Sequence, residues 1–490
     1  MKRVIVCALA LAGFAAAAQA ADLDVGSIKD PLPDTISWHG VTIYGTVDVG
    51  YAYQTNGRPL GSVVSDLEYS PFTTTRNFTG QSVSTITANA LEQSKIGVKV
   101  EEQIGYGWEA IGKLDTGFNP MTGELSNGCA SFVQNAGVPY SQQTSNADSG
   151  RCGQAFNGVA YAGVSNASYG TLTVGRQQSF QLDAIATYDP MALSYALSLI
   201  GYSGTNGGSG STEAARWDDS VKYVYQYGPV HAGVMYSDGG DATGLYGTGL
   251  GFNAGGAYKG FSVDAVYTKE NAAVNLLGAN KDAAGAPLAA AISNNEAWSI
   301  MGKYTYDFGG GFKDEGPGSK LTLFGGYTHI DVSNSNDTVG YAAGGYAIAD
   351  DHIYYTGTKV LQFAWTGAKY ELPSGWSFTG AYYYVDQSAY TSDTNVCTLG
   401  GATRTNCAGT YNQGSFLVDY AFNKHFDVYA GVTYAIAEDG LAAGNNGTPC
   451  SSNGVGSGKC AQLGGLYSQT SGTATSVDTT AVVTGMRLKF

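Results

Sequence analysis

Charge is what this chain has least of. Asp, Glu, Lys and Arg together make 13% of its 490 residues, about half the ~25% usual in soluble domains. Proline is scarce at 12 residues, and long apolar runs are missing outside the N-terminus. Disorder is excluded, because it needs high charge and few aromatics, and aromatics here reach 12%. A helical membrane protein is excluded as well: past the N-terminus no stretch reaches the ~18 apolar residues of a spanning helix. What the chain does have is glycine, 70 residues, and tyrosine, 35. It is 43% apolar without long apolar runs. That profile suits strands that alternate apolar and polar residues.

The N-terminus predicts export. Lys2 and Arg3 open the chain, Val4 to Ala18 is apolar, and Ala18-Gln19-Ala20 is a small-x-small site. Residues 1–20 read as a secretory signal peptide cleaved after Ala20. Residues 21–37 read as a short acidic, proline-bearing periplasmic lead, and 38–490 as the body of the protein. Cys7 lies inside the apolar stretch, away from the cleavage point, so it is not read as a lipidation site. Removing Lys2 and Arg3 leaves 23 basic against 40 acidic side chains, near −17 with His neutral. Such a surface repels nucleic acid and suits a place where small cations pass.

Six cysteines remain: Cys129, Cys152, Cys397, Cys407, Cys450 and Cys460. They allow fifteen pairings. Sequence proximity favours Cys129–Cys152, Cys397–Cys407 and Cys450–Cys460, because short loops close most easily. Six free thiols suit an exported chain less well. A zinc site suits it least, since no His or second Cys stands at ligand spacing beside any of them.

The strands are read from a period of two. Val41, Ile43, Val47 and Val49 alternate with Thr42, Tyr44, Thr46 and Asp48. Ile96, Val98 and Val100 alternate with Lys95, Lys99 and Glu101. Continued along the chain, the pattern predicts sixteen strands: 41–54, 93–104, 108–118, 156–164, 170–178, 218–227, 230–237, 249–258, 261–269, 296–308, 320–329, 359–372, 376–385, 411–422, 426–437 and 478–490. A sandwich core and a wet barrel in lipid both fit such strands. The gaps discriminate, because they alternate short and long. Gly105-Tyr106-Gly107, Gly228-Pro229 and Lys259-Gly260 are short, whereas others run from about 11 to 40 residues. Short turns on one side and long loops on the other mark an outer-membrane barrel. The fold class is therefore all-β: an antiparallel, sixteen-stranded transmembrane β-barrel with periplasmic turns and extracellular loops. Trp108, Tyr227, Tyr258, Phe261, Phe308, Trp376, Phe422 and Phe426 all stand at strand ends beside short turns. An aromatic ring at the lipid interface is expected there.

Several stretches then resemble a known family. They are Val41-Thr-Ile-Tyr-Gly-Thr-Val-Asp48, Ser94-Lys-Ile-Gly-Val-Lys99, Gly107-Trp-Glu-Ala-Ile-Gly-Lys-Leu-Asp-Thr-Gly-Phe-Asn119 and Phe156-Asn-Gly-Val-Ala-Tyr-Ala-Gly-Val164. To these add Tyr169-Gly-Thr-Leu-Thr-Val-Gly-Arg-Gln177 and the terminal Thr484-Gly-Met-Arg-Leu-Lys-Phe490. Together they resemble the trimeric general porins of Gram-negative outer membranes, particularly the proteobacterial type. The detailed similarity covers about residues 38–180 and the last ten; between them only the strand–loop rhythm matches. The resemblance implies a homotrimer and makes Phe490 the C-terminal assembly signal. It also implies a third long loop, Ser179 to Trp217, folded inward to narrow the barrel. Acids on that loop, Asp183, Asp189 and Glu213, would face basic side chains on the wall. Arg176 is the wall residue by match. Lys95, Lys99 and Lys113 join it because alternation turns them inward. Arg176 shares parity with lipid-facing Leu172 and Val174, so a bulge, or a strand leaving the wall, is expected there. Met191 to Ile200 is the helix-compatible run of the loop.

The function this predicts is a passive, water-filled diffusion channel for small hydrophilic solutes and ions, set in outer-membrane lipid. No cofactor or energy source is implied. The acid excess predicts cation preference. A channel selective for sugars or other solutes is the alternative, with Tyr188, Tyr195 and Tyr202 as candidate lining. An outer-membrane enzyme fits less well: His39, His231 and His425 map to the periplasmic side, and only His329 and His352 share an outer loop with acids. Gly204 to Gly210 lacks the Gly-Lys-Ser/Thr of a phosphate loop. An adhesin fits least, because nothing resembles a passenger domain.

Overall fold

The computed structural model describes residues 36–57, 81–121, 123, 125, 155–200, 216–238, 248–279, 288–309, 318–334, 342–343, 346–350, 358–390, 398–399, 402–403, 408–439 and 476–490. The signal-peptide stretch, all the cysteines, Tyr202, Glu213 and His352 lie outside these residues. Within the compact unit Ile36–Phe490 the strands are β1 (Ile36–Trp38), β2 (Val41–Gly57), β3 (Gln81–Ala88), β4 (Lys95–Gly105), β5 (Trp108–Gly117), β6 (Ala160–Asn166), β7 (Gly170–Gln178), β8 (Arg216–Tyr227), β9 (Val230–Asp238), β10 (Thr248–Tyr258) and β11 (Phe261–Ala279). They continue as β12 (Leu288–Asp307), β13 (Lys320–Asn334), β14 (Ala342–Ala343), β15 (Tyr346–Asp350), β16 (Lys359–Glu371), β17 (Trp376–Gln387), β18 (Thr398–Leu399), β19 (Ala402–Thr403), β20 (Gly409–Ala421), β21 (Phe426–Asp439) and β22 (Ser476–Lys489). Helix α1 (Phe180–Tyr188) follows β7.

The wall strands pair antiparallel with their neighbours, and β22 closes the ring on β2, with Thr46 opposite Lys489 and Gln54 opposite Ala481. β3 and β4 both pair with β2, so they form one interrupted wall strand and the barrel has sixteen. Closure of β22 on β2 joins the two ends of the wall, as backbone in lipid requires. Short turns join the strands at one end. Lys259 and Gly260 both take positive φ, +48 and +85, the two-residue geometry whose twist matches paired strands.

Alternation holds across the wall. On β4, Ile96, Val100 and Ile104 are exposed at 47%, 39% and 58%, on the face opposite Lys95 and Lys99. At the turn end the rings stack on one another: Trp108 on Tyr169 at 5.8 Å, Phe261 on Tyr304 at 4.5 Å and Trp376 on Tyr420 at 4.7 Å.

The largest differences from the sequence reading are in the second wall strand and in β11 and β12; β13 also runs on to Asn334, and β6 begins at Ala160. The second wall strand begins at Gln81 rather than 93, and residues 89–94 interrupt it. β11 and β12 run on past 269 and before 296 as a paired hairpin. There the strict alternation lapses, in Asn-Ala-Ala-Val-Asn and Leu-Ala-Ala-Ala-Ile. Beyond the lipid a hairpin needs no apolar face, so pairing outlasts the pattern that announces it.

The interior is not uniformly wet. Ile330, Phe363, Trp365, Tyr383, Val385, Tyr411 and Tyr429 point inward and are buried with Tyr188, Met191, Leu197, Leu199 and Ile200. Each such side chain contributes roughly 1.5–3 kcal/mol on burial, so this sector is a true core inside the barrel.

Candidate functional site

The segment after β7 is what fills that sector. Ser179 is extended, and its Oγ accepts from the Leu182 N–H at 3.2 Å, which starts α1 as an N-cap. Pro190 ends the helix, since the residue before proline is pushed to extended backbone; Asp189 sits at φ −78°, ψ 122°. The helix expected at Met191–Ile200 therefore lies upstream, at Phe180–Tyr188. Residues 191–200 form successive turns, with Ala192 and Leu193 at φ +52° and +63°.

The segment's contacts trace its path round the inner wall. The Phe180 ring covers Gly233 and Gly251, where a Cβ has little or no room. Gln181 Nε2 donates to Ser299 Oγ at 2.7 Å. Tyr188 donates to Asp264 at 2.5 Å, and Trp365 Nε1 donates to the Tyr188 carbonyl at 3.1 Å. Pro190 packs on Gly367 and Leu197 on Gly431. The Leu197 carbonyl accepts from Gln413 Nε2 at 2.9 Å and Ser415 Oγ at 2.6 Å. Finally the Ala196 N–H and Ser194 Oγ each donate to the Ala90 carbonyl at 2.9 Å. The path thus runs past β9 to β13, β16, β17, β20 and β21 to the interruption of the second wall strand. It leaves the sector along β4 to β8.

That sector is polar. Tyr44 donates to Asp115 Oδ2 at 2.8 Å, with Lys113 at 3.8 Å from the same carboxylate. Lys95 pairs with Glu92 at 3.0 Å and Lys99 with Glu101 at 2.5 Å. Lys222 pairs with Asp183, reaches the Gln178 carbonyl at 3.0 Å and lies over the Phe180 ring at 4.6 Å. Tyr161 and Arg216 share this electrostatic neighbourhood with Lys113 and Asp183. Asp183 keeps 41% of its side chain exposed. The closed barrel thus carries an inward segment on one side and a charged sector along β4 to β8.

The comparisons agree. A model of the Gram-negative porin family matches residues 6–440. The chain belongs to the Gram-negative porin family. An outer membrane porin protein of Bordetella pertussis is 24% identical over 240 residues, which is 48% of either chain; the match spans about half that relative's length. Among solved structures, a loop L8 deletion mutant of OmpT, an outer membrane protein of Vibrio cholerae, is similar with a TM-score of 0.53 at 13% identity, covering 92% of this chain and 99% of that one. A trimer form of the in-vitro folded OmpT gives 0.51 at 14% identity, covering 92% and 99%. The fold is that of outer-membrane barrels, and this porin is located in the outer membrane.

The residues singled out in the sequence differ in exposure in this porin. Lys95, Lys99, Lys113 and Asp183 keep 34%, 47%, 34% and 41% of their side chains exposed, and Lys99 lies directly across from Lys113 between β4 and β5. Asp189 is 2% exposed, and its carboxylate accepts from Tyr383 OH at 2.6 Å and the Leu193 and Met191 amides at 2.8 and 3.2 Å. Burial pushes its carboxyl above the ordinary aspartate range, against the pull of the Tyr383 hydroxyl and the Leu193 amide. Arg176 sits where the β7–β8 register shifts between Gly175 and Gln177. It is 7% exposed, held by Asp218 at 2.6 Å and by the Asn157 carbonyl at 2.6 and 3.1 Å. Tyr188 and Tyr195 are buried at 0% and 8%, so neither offers a ring to a passing solute. Lys222, Arg216, Tyr44, Tyr161 and Asp115 were not singled out. For Lys222, Tyr44, Tyr161 and Asp115 the signal was present, as members of alternating strands; Arg216 had none, because the sequence reading left it in the loop before 218.

Proposed function

We propose that the protein is a passive, water-filled diffusion channel for small hydrophilic solutes and ions, with a weak to moderate preference for cations. The observation that carries this reading is the third loop, packed along the inner wall so that only a polar gap remains, with Asp183 exposed on it. The wall bases Lys95, Lys99 and Lys113 each have an acid as neighbour. Local pairing offsets them, and the overall acid excess then sets the sign of the field. In a confined passage such charges are screened less than on an open surface. Export through the signal peptide at 1–20, the three local disulfides and assembly as a homotrimer belong to the same reading.

The test is a planar bilayer holding the purified protein. Conductance without added energy source is expected, with a reversal potential in a KCl gradient of the sign for cations. Anion preference would overturn the electrostatic part, and a non-conducting folded barrel would overturn the channel.

A further inference from the structure

One inward residue of the wall holds a part of the constriction that no strand supports. Asp48 lies in the middle of β2 and is fully buried. Its Oδ2 accepts the Leu91 and Glu92 amides at 2.8 Å each, and its Oδ1 accepts the Tyr429 hydroxyl at 2.5 Å. Its own amide donates to Ser94 Oγ at 2.9 Å, and its carbonyl accepts from the Asn89 amide at 3.0 Å. Four hydrogen bonds thus tie residues 89–94, the interruption between β3 and β4, to this one residue, and the Ser94 carbonyl also accepts from the Phe118 amide at 2.8 Å. Asn89 takes φ +58° and its Oδ1 closes the turn on the Ser94 amide at 2.7 Å. Ala90 lies within this turn, and its carbonyl receives the far end of the third loop from Ser194 and Ala196.

We propose that Asp48 is the positioning residue of the constriction, holding the 89–94 turn inward as the platform on which the third loop ends. Two sets of bonds at the far end of the loop matter here. The Gln413 and Ser415 bonds to the Leu197 carbonyl press it against the wall. The Ala90 bonds fix it from the other side, next to the open sector along β4. The carboxylate accepts on both oxygens with charge assistance, whereas an amide keeps one oxygen for the two N–H donors and presents an NH₂ to the Tyr429 hydroxyl, which must turn from donor to acceptor and loses the charge-assisted bond. The inference rests on the reading of the protein as a channel narrowed by its third loop.

The experiment is single-channel recording of the full-length purified protein with Asp48→Asn and, as milder variants, Tyr429→Phe and Ser194→Ala. Tyr429→Phe keeps the ring and removes only the hydroxyl; Ser194→Ala removes the loop's side-chain bond to Ala90. In Asp48→Asn, openings above the wild-type level and open-channel noise should rise about tenfold in occupancy, the factor that one lost hydrogen bond of ~1.4 kcal/mol represents. The milder variants should move the same way by less. Larger uncharged polymers should enter the Asp48→Asn pore than enter the wild type. A folded, heat-modifiable Asp48→Asn barrel with wild-type conductance, noise and polymer cut-off overturns the proposal, since a merely structural role would lower thermal stability alone. If Asp48→Asn does not fold, wild-type traces from both milder variants overturn it. A non-conducting wild type would instead sink the channel reading itself.

Discussion

Two aspartates six residues apart show how far apart two acids of one loop can be in role. Asp183 is on the exposed side of α1 and answers Lys222 across the gap. Asp189 ends the same helix and is consumed by Tyr383 and two amides. Asp183→Asn should lower cation preference, because it removes a lumen charge and frees Lys222; the reversal potential in a KCl gradient reads this directly. Asp189→Asn should leave that potential unchanged and cost about 1–3 kcal/mol of loop anchoring, the usual cost of a buried partner left unsatisfied. Arg176→Ala should raise cation preference, since it uncovers the Asp218 carboxylate that Arg176 holds.

At the scale of elements, two local devices aim the third loop. The first is the Ser179 cap. Ser179→Ala should cost about 1 kcal/mol of α1 stability, seen as added open-channel noise with unchanged selectivity. The second is the bulge at Gly175, where φ is +131° and a Cβ would come within 2.3 Å of the Ala160 carbonyl. Gly175→Ala should lower the temperature at which the barrel loses its compact mobility on SDS gels, because it strains the turn of β7 that puts Arg176 inside. The apolar sector works with both: Trp365, Tyr383 and Leu197 bury area on docking, while Gln413, Ser415 and Ala90 fix where docking occurs.

For the whole molecule, the outward face of β22 beside the barrel seam mixes small and apolar side chains, with Met486 and Leu488 exposed at 49% and 39%. Gly45 is covered by the Phe490 ring, and its amide and carbonyl pair with Phe490 at 2.8 and 3.0 Å. Thr480 and Thr484 stand on the same outward side of β22. An apolar outward face of this kind can pack against a different face of a second copy, and such a heterologous contact, repeated by rotation, closes into a ring. The protein should run on unheated SDS gels at about three times its monomer mass; a single monomeric species by light scattering in mild detergent would count against this. Peptide mapping without reduction should find Cys129–Cys152, Cys397–Cys407 and Cys450–Cys460, and six alkylatable thiols would refute them.

Most of the wall was legible because lipid imposes a strict rule. Each crossing strand must turn an apolar row outward, so β7, at 170–178, and β16, β17, β20, β21 and β22 could be placed from alternation to within a few residues. Where lipid stops acting the pattern stops informing, as in β3 and the outer halves of β11 and β12. The inward face carries no such rule. Phe363 and Lys99 both point inward, one into a dry core and one into a wet gap, and nothing in strand period separates them. That distinction depends on where the third loop lies. The loop's path depends in turn on partners distant in the chain: Asp189 with Tyr383, Leu197 with Ser415, Ala196 with Ala90. By itself the sequence determined the barrel and the character of its two surfaces, because these follow from local periodicity against a uniform solvent. Only the tertiary structure decided which acids meet water, because that follows from contacts between segments as much as 218 residues apart.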